Sequence, residues 1–233
     1  MTPSEFYGAG FPYRPTGELL GKLIVLEGSD GVGRSTQINL LRTWLESEGY
    51  AVSDTGLRRS NLTQPGLDAA KLGHTLGRQT MSLFYATDFA DRLENQIIPA
   101  LRAGFHVLSD RYFYSIIARD IVRGADPVWA RKLYGIALKP DVVFYLRGDI
   151  PTLIKRMIHG RGFNYWESGM DFHLADDLYD SFCLYQSRLI EQFDQMAEEY
   201  GFVTIDATRP IPVVFEDLKR KIKPLLEEEI SQI

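Results

Sequence analysis

Short apolar runs and longer amphipathic stretches alternate along most of this chain. "LIVLE" (23–27) is closed by a glycine, and its length and flanks predict a buried strand. In "STQINLLRTWLESEGY" the residues Ile38, Leu41 and Leu45 fall at helical spacing, and Gly49 ends the helix. "AVSDT" (51–55), "HVLSD" (106–110), "DVVFYL" (141–146) and "FVTIDA" (202–207) are four further strands. Helices are predicted over 80–102 with a bend at Pro99, over 114–124, 128–138, 150–159 and 177–200, and over 213–229. An irregular, glycine-containing segment fills 160–172. Residues 1–21 are rich in Gly, Pro and aromatics and have no period, so they read as an arm or a disordered lead, with Phe6, Tyr7, Phe11 and Tyr13 available to pack.

Strands separated by helices require right-handed crossovers. The expected class is therefore α/β, a central five-stranded parallel sheet with helices on both faces. Ligands in such sheets bind at the carboxyl ends of the strands. The segments 28–36, 110–120 and 206–209 fall there. The expected organisation is an arm (1–21) followed by a single domain (22–233).

Composition narrows the partners. With 45% hydrophobic and 24% charged residues, the 233-residue chain has the makeup of a globular protein. A formal net charge of -5 gives no electrostatic footprint for nucleic acid, so none is expected as a partner. Cys183 is the single cysteine, which excludes an internal disulfide and suits a reducing compartment. No apolar run approaches the roughly 20 residues that cross a bilayer, and the N-terminal residues lack the pattern of an export signal. The expectation is a cytoplasmic protein with no membrane partner.

The chemistry concentrates in "LEGSDGVGRST" (26–36). Gly28, Gly33, Arg34 and Ser35 fit the pattern G-x-x-x-x-G-[K/R]-[S/T], between a strand and a helix. With Gly31 and Thr36 they make a phosphate-binding loop, in which glycines let the backbone approach an anion and the following helix adds its positive dipole end. The Ser35 hydroxyl is placed to ligate Mg²⁺. Arg34 stands where such loops carry lysine. It keeps the charge but is longer, planar and forked. Asp30 is a carboxylate inside an anion-binding loop and needs a cationic or proton-donating partner, for which Arg111 is the natural candidate. In "SDRYFYSIIARD" (109–120), Asp110 at a strand end is placed to hold a metal, and Arg111 to grip phosphate with its forked head. An ordinary Asp–Arg pair capping a strand is the plainer alternative.

"EGSDGVGRSTQ", "LFYATDFADRLENQIIPAL", "VLSDRYFYS", "KPDVVFYL" and "FVTIDAT" follow one another in an order and spacing that resemble the thymidylate kinase family of nucleoside monophosphate kinases, over roughly residues 21–225. The resemblance implies a three-layer P-loop NTPase-type fold, with ATP as phosphoryl donor, Mg²⁺, a nucleoside monophosphate acceptor and a homodimer. It places Asp30 near the acceptor monophosphate, Arg111 on that phosphate, and Phe84 against the acceptor base, although core packing would serve Phe84 equally well. It makes 156–171 a mobile lid that closes over ATP, with Arg156 and Arg161 as its cations; a solvated loop with incidental arginines is the alternative. The implied catalytic set is Arg34, Asp30, Arg111 and Arg161.

The departures fall on the acceptor side. The family's Thr-Arg-Glu-Pro is replaced by "DTGLRRSN" (54–61), which offers Arg58 and Arg59. The family's arginine in the long helix aligns with Asp88, which cannot hold a monophosphate. The Tyr-Gln pair associated with deoxyribose and thymine reads Arg119-Asp120, and Tyr165 occupies an arginine position of the lid. Arg58, Arg59 and Arg119 become replacement cations. Three functions stay open: a dTMP kinase, a kinase of another nucleoside monophosphate with a rebuilt acceptor site, and a nucleotide-binding protein that turns over little because of Arg34.

Overall fold

The structure, a computed structural model, describes residues 6–11, 17–160 and 162–230, the side chains of 228–230 excepted. Its elements run β1 (Leu23–Glu27), α1 (Arg34–Ser47), β2 (Val52–Gly56), α2 (Gln64–Gly73), α3 (Arg78–Arg92), a π-helical turn (Leu93–Ile97), α4 (Ile98–Arg102), β3 (His106–Asp110), α5 (Phe113–Val122), α6 (Pro127–Leu133), β4 (Val142–Arg147), α7 (Ile150–His159), a 3₁₀ turn (Met170–Phe172), α8 (Leu178–Tyr200), β5 (Val203–Asp206) and α9 (Ile211–Ile230). The five strands form one parallel sheet in the order β2-β3-β1-β4-β5, with helices around it, as the alternating pattern predicts. All five residues of β1 are buried, which explains why a central parallel strand reads as a continuous apolar run.

Helix starts follow local chemistry. Asp126, Asp149 and Asp177 accept backbone N–H bonds from Trp129 (2.6 Å), Thr152 (2.8 Å) and both Tyr179 and Asp180 (2.9 Å each) at the first turns of α6, α7 and α8. Each such cap stabilises by about 1 kcal/mol.

Three elements differ from the sequence pattern. Helix α2 is extra; Pro65, Gly66 and Gly73 punctuate it and only Leu67 and Ala70 are buried, so its apolar period is faint. The helix expected over 80–102 is interrupted by a π-helical turn, closed by an Ile98 N–H to Leu93 carbonyl bond. Pro99 follows directly. A proline ring clashes with the carbonyl four residues back in a regular helix, and the wider turn relieves that clash. The helix expected to reach 138 stops at Leu133. Beyond Gly135 the chain pairs instead with the arm: Tyr7 N–H donates to Ala137 at 2.9 Å and Phe6 bridges Leu138 in antiparallel fashion.

By its internal contacts the chain divides into two compact units. The first contains the described residues up to Val25 together with Arg42–Val142, and the second contains Leu26–Leu41 and the described residues from Val143 onward. The division passes through β1 and α1.

Candidate active site

The phosphate loop lies in the second unit. Gly28 follows β1 at φ 141°, where a Cβ would stand 2.5 Å from the Leu146 carbonyl oxygen, so no other residue fits. Ser35 and Thr36 are exposed in the first turn of α1. Arg34 turns inward. It is 8% exposed, and its Nη1 donates to the carbonyls of Gly28 (2.6 Å) and Ser29. The guanidinium thus neutralises two peptide carbonyls that would otherwise oppose an anion in the loop.

Arg156, on α7, donates to the carbonyls of Val32 (2.9 Å) and Ala207 (2.8 Å). It braces the loop against the turn after β5. Asp30 is buried, and its partner is Gln186 of α8: Asp30 N–H donates to Oε1 and Oδ2 accepts from Nε2, both at 3.3 Å. The same Nε2 donates to the Glu167 carbonyl at 2.8 Å. One buried amide therefore joins the phosphate loop to the segment expected to be the lid.

That segment is packed along α8. Phe163 meets Phe182 edge-on at 4.9 Å, Ser181 Oγ donates to the Ser168 carbonyl at 2.6 Å, and Gly169, at φ 66°, abuts the Tyr185 ring. Its other expected cation, Arg161, lies outside the described residues.

The first unit carries the other residues expected to bind an anion. Asp110 ends β3, and Arg111 follows at φ 74°, a left-handed conformation unusual for a side chain of its size. Ser109 Oγ donates to the Arg111 carbonyl at 2.6 Å, and the buried Tyr112 hydroxyl donates to Leu138 at 3.0 Å. Arg58, also left-handed at φ 61°, sits in the loop after β2 and pairs with Asp68. Arg59 pairs with Asp54 at 2.7 Å. Phe84 is half-buried and lies beside Gly66 of α2, where an added Cβ would come within 3.2 Å of its ring.

Asp88 organises this loop. It is fully buried and accepts from Arg58 N–H (3.2 Å), Ser60 N–H (3.1 Å), Thr63 Oγ1 (3.2 Å) and Arg92 Nε (2.9 Å). Arg92, equally buried, reaches Thr55 Oγ1 at 3.5 Å, while its Nη2 has no hydrogen-bond partner. Burying an ion pair is costly, and the four hydrogen bonds to Asp88 offset much of that cost.

Around Tyr85 the cations gather. Burial raises its phenol above the ordinary tyrosine range, and Arg119, Arg58, Arg123 and Arg111 all pull it back down. Four positive charges of one unit therefore act on this phenol. Asp120 lies against two of them. Burial pushes its carboxyl up to about 6, opposed by a hydrogen bond with Ser82 and by Arg123 and Arg119.

The family model of thymidylate kinase matches residues 26–218. Relatives include a probable thymidylate kinase 2 of Saccharolobus solfataricus, 38% identical over 213 residues, covering 91% of this chain and 98% of the relative. Probable thymidylate kinases of Thermococcus gammatolerans and Thermococcus kodakarensis are 34% and 35% identical, covering 91% and 88% of this chain and 98% and 99% of those relatives.

The chain belongs to the thymidylate kinase family. As a member of that family it is a phosphotransferase, a kinase of the nucleoside monophosphate class. The family match takes in the phosphate loop, the arginines around Tyr85 and the segment on α8, and leaves the arm outside.

Several residues of this thymidylate kinase family site were not singled out from the sequence. Arg92 is one, although the i,i+4 spacing from Asp88 was a visible sign of an intrahelical pair. Gln186 is another. It stands among Phe182, Tyr185, Leu189 and Phe193 on the buried face of α8, and a polar residue on an apolar face calls for a specific partner. Tyr85 and Arg123 carried no local signal, because their importance comes from what folding brings beside them.

Proposed function

We propose that this protein transfers the γ-phosphoryl group of ATP to dTMP in an Mg²⁺-dependent reaction. The observation that carries the reading is that Arg58 and Arg111, both left-handed, follow the neighbouring strands β2 and β3, and that with Arg119 and Arg123 they act electrostatically on Tyr85. Four cations around one phenol suit an acceptor with a dianionic phosphate, and the relatives' names supply thymidylate as that acceptor. The glycine-rich loop suits the donor phosphates.

The acceptor's phosphate oxygen is already a nucleophile, so no protein base is required. Catalysis is alignment and charge neutralisation. Gly28, Gly31, Gly33, Arg34, Ser35 and Thr36 hold the donor phosphates, and Arg156 keeps the loop in shape. Arg161 supplies a cation from the lid. Asp30, held by Gln186, orients the acceptor phosphate. Arg111, Arg58 and Arg119 bind it, and Phe84 supports the base. Ser35 and Asp110 are the metal-ligand assignments. No group of three or more His, Cys, Asp or Glu that would cage a metal occurs among the described residues. That fits Mg²⁺, which keeps waters and phosphate oxygens and takes one or two protein ligands. When bound, Mg²⁺ neutralises charge developing on the transferred group. The protein is further proposed to act in the cytoplasm as a homodimer on small nucleotides. No described helix is long and apolar enough to cross a membrane.

A second reading, a nucleotide-binding protein with little turnover, is favoured by Arg34 alone, because its guanidinium is engaged with its own loop. A coupled assay of ADP release with ATP and Mg²⁺, run over a panel of nucleoside monophosphates, separates the two. Release that depends on dTMP and exceeds that with the other monophosphates supports the first. Release that no monophosphate stimulates sinks it, and a preference for another monophosphate transfers the assignment to that acceptor.

A further inference from the structure

The arm lies before residue 26, outside the family match, yet its described part is built into the first unit. Tyr7 N–H donates to Ala137 at 2.9 Å, and Phe6 bridges Leu138. The Tyr7 hydroxyl bonds that of Tyr114 at 2.6 Å, and its ring meets Phe113 edge-on at 5.4 Å, with the Lys139 ammonium 5.8 Å from its centre. Gly8 runs so close to Gly135 that an added Cβ would stand 2.8 Å from the Gly135 carbonyl oxygen. Two backbones that touch this closely need glycine on the arm, so the fit is specific rather than a loose apolar contact.

The grips fall on groups that support one strained residue. Arg111 holds a left-handed backbone, which surrounding contacts must enforce. On its C-terminal side those contacts include the Tyr112 hydroxyl bond to Leu138 and the packing of Tyr112 on Phe89 at 4.9 Å and on Phe113 at 5.3 Å. The arm holds Leu138 through Phe6, and holds Phe113 and Tyr114 through Tyr7. The hydroxyl end of Tyr112 and one of its ring neighbours are therefore fastened by Phe6 and Tyr7 of the arm. We propose that residues 6–11 are a strap that positions Arg111 for the acceptor phosphate, with Tyr7 as the positioning residue. This rests on the acceptor reading of Arg111 given above.

Steady-state kinetics with ATP and dTMP on the full chain, on Tyr7→Phe, on Gly8→Val and on a chain lacking residues 1–16 tests the strap. Melting temperature is measured alongside, and Arg111→Lys serves as the control. Tyr7→Phe keeps the ring and removes one hydrogen bond, so it is expected to raise the dTMP KM about fivefold, with the ATP KM unchanged. Gly8→Val and the shortened chain should shift the same constant further in the same direction. A fall in melting temperature with an unchanged dTMP KM in all three variants overturns the strap and leaves the acceptor reading standing. An unchanged dTMP KM in Arg111→Lys overturns the acceptor reading and the strap together. If the shortened chain does not fold, Tyr7→Phe alone decides between these outcomes.

Discussion

In the phosphate loop the backbone makes the site and the side chains serve it. Glycines set the curve, while Arg34 and Arg156 spend their donors on the carbonyls of Gly28, Ser29, Val32 and Ala207. In the loop after β2 the order is reversed. There a side chain, Asp88, holds the backbone N–H groups of Arg58 and Ser60, and the arginines that act on Tyr85 are the proposed binding groups. The difference teaches where each region is vulnerable. A site made of backbone tolerates exchange of its charged side chain if the charge stays. A site made of side chains depends on whatever buried group fixes the loop that carries them.

The largest expected effect tests that dependence. Asp88→Ala leaves Arg92 as an uncompensated buried charge, which costs about 3–5 kcal/mol. Urea unfolding should show that loss, whereas removing an exposed ion pair such as Arg59–Asp54 should cost below about 1 kcal/mol. Equal, small losses at the two places would break the contrast.

A middle-sized effect concerns Asp120. Its folded-state carboxyl is raised from 3.8 to about 6 by burial. The folded protein therefore holds that proton more tightly than the unfolded chain does. The associated stability is fully present below about pH 4 and is lost as pH rises through about 6. Such a shift corresponds to at most about 3 kcal/mol, and partial exposure reduces it to about 1–2 kcal/mol. Asp120→Asn is thus expected to stabilise the protein at pH 7.5 and to have little effect at pH 4, read by denaturant midpoints. The same gain at both pH values would remove burial of charge as the cause.

The smallest effect falls on the loop charge. Lysine at position 34 keeps the charge and loses the forked reach to two carbonyls. Arg34→Lys should lower kcat/KM for ATP only about threefold, the worth of one hydrogen bond of about 0.6 kcal/mol. A rise in turnover would instead mark Arg34 as the defect that keeps the loop idle.

How much could be read beforehand follows the same division. The strand–turn–helix of residues 23–47 was legible because its signals are local: an apolar run, spaced glycines and an amphipathic period. All five strands and the parallel sheet were legible for the same reason. The direction of the Arg34 side chain was not, since a long side chain chooses among partners that folding brings to it. Helix α2 was hidden by its proline and glycines, and the π-helical turn by the assumption that Pro99 would bend a regular helix. Asp88 was read as a lost cation because sequence shows a residue's charge and not its burial. In the folded chain it holds the loop from which Arg58 arises. The cluster at Tyr85 joins residues from three separate segments, and no spacing rule links them.

The most direct test of that assignment is the pair of Michaelis constants of Arg58→Ala. The expected result is a dTMP KM raised about tenfold or more, the loss of a charge-assisted contact to phosphate, with the ATP KM changed by less than about twofold. An unchanged dTMP KM, or a rise in the ATP KM alone, would contradict it.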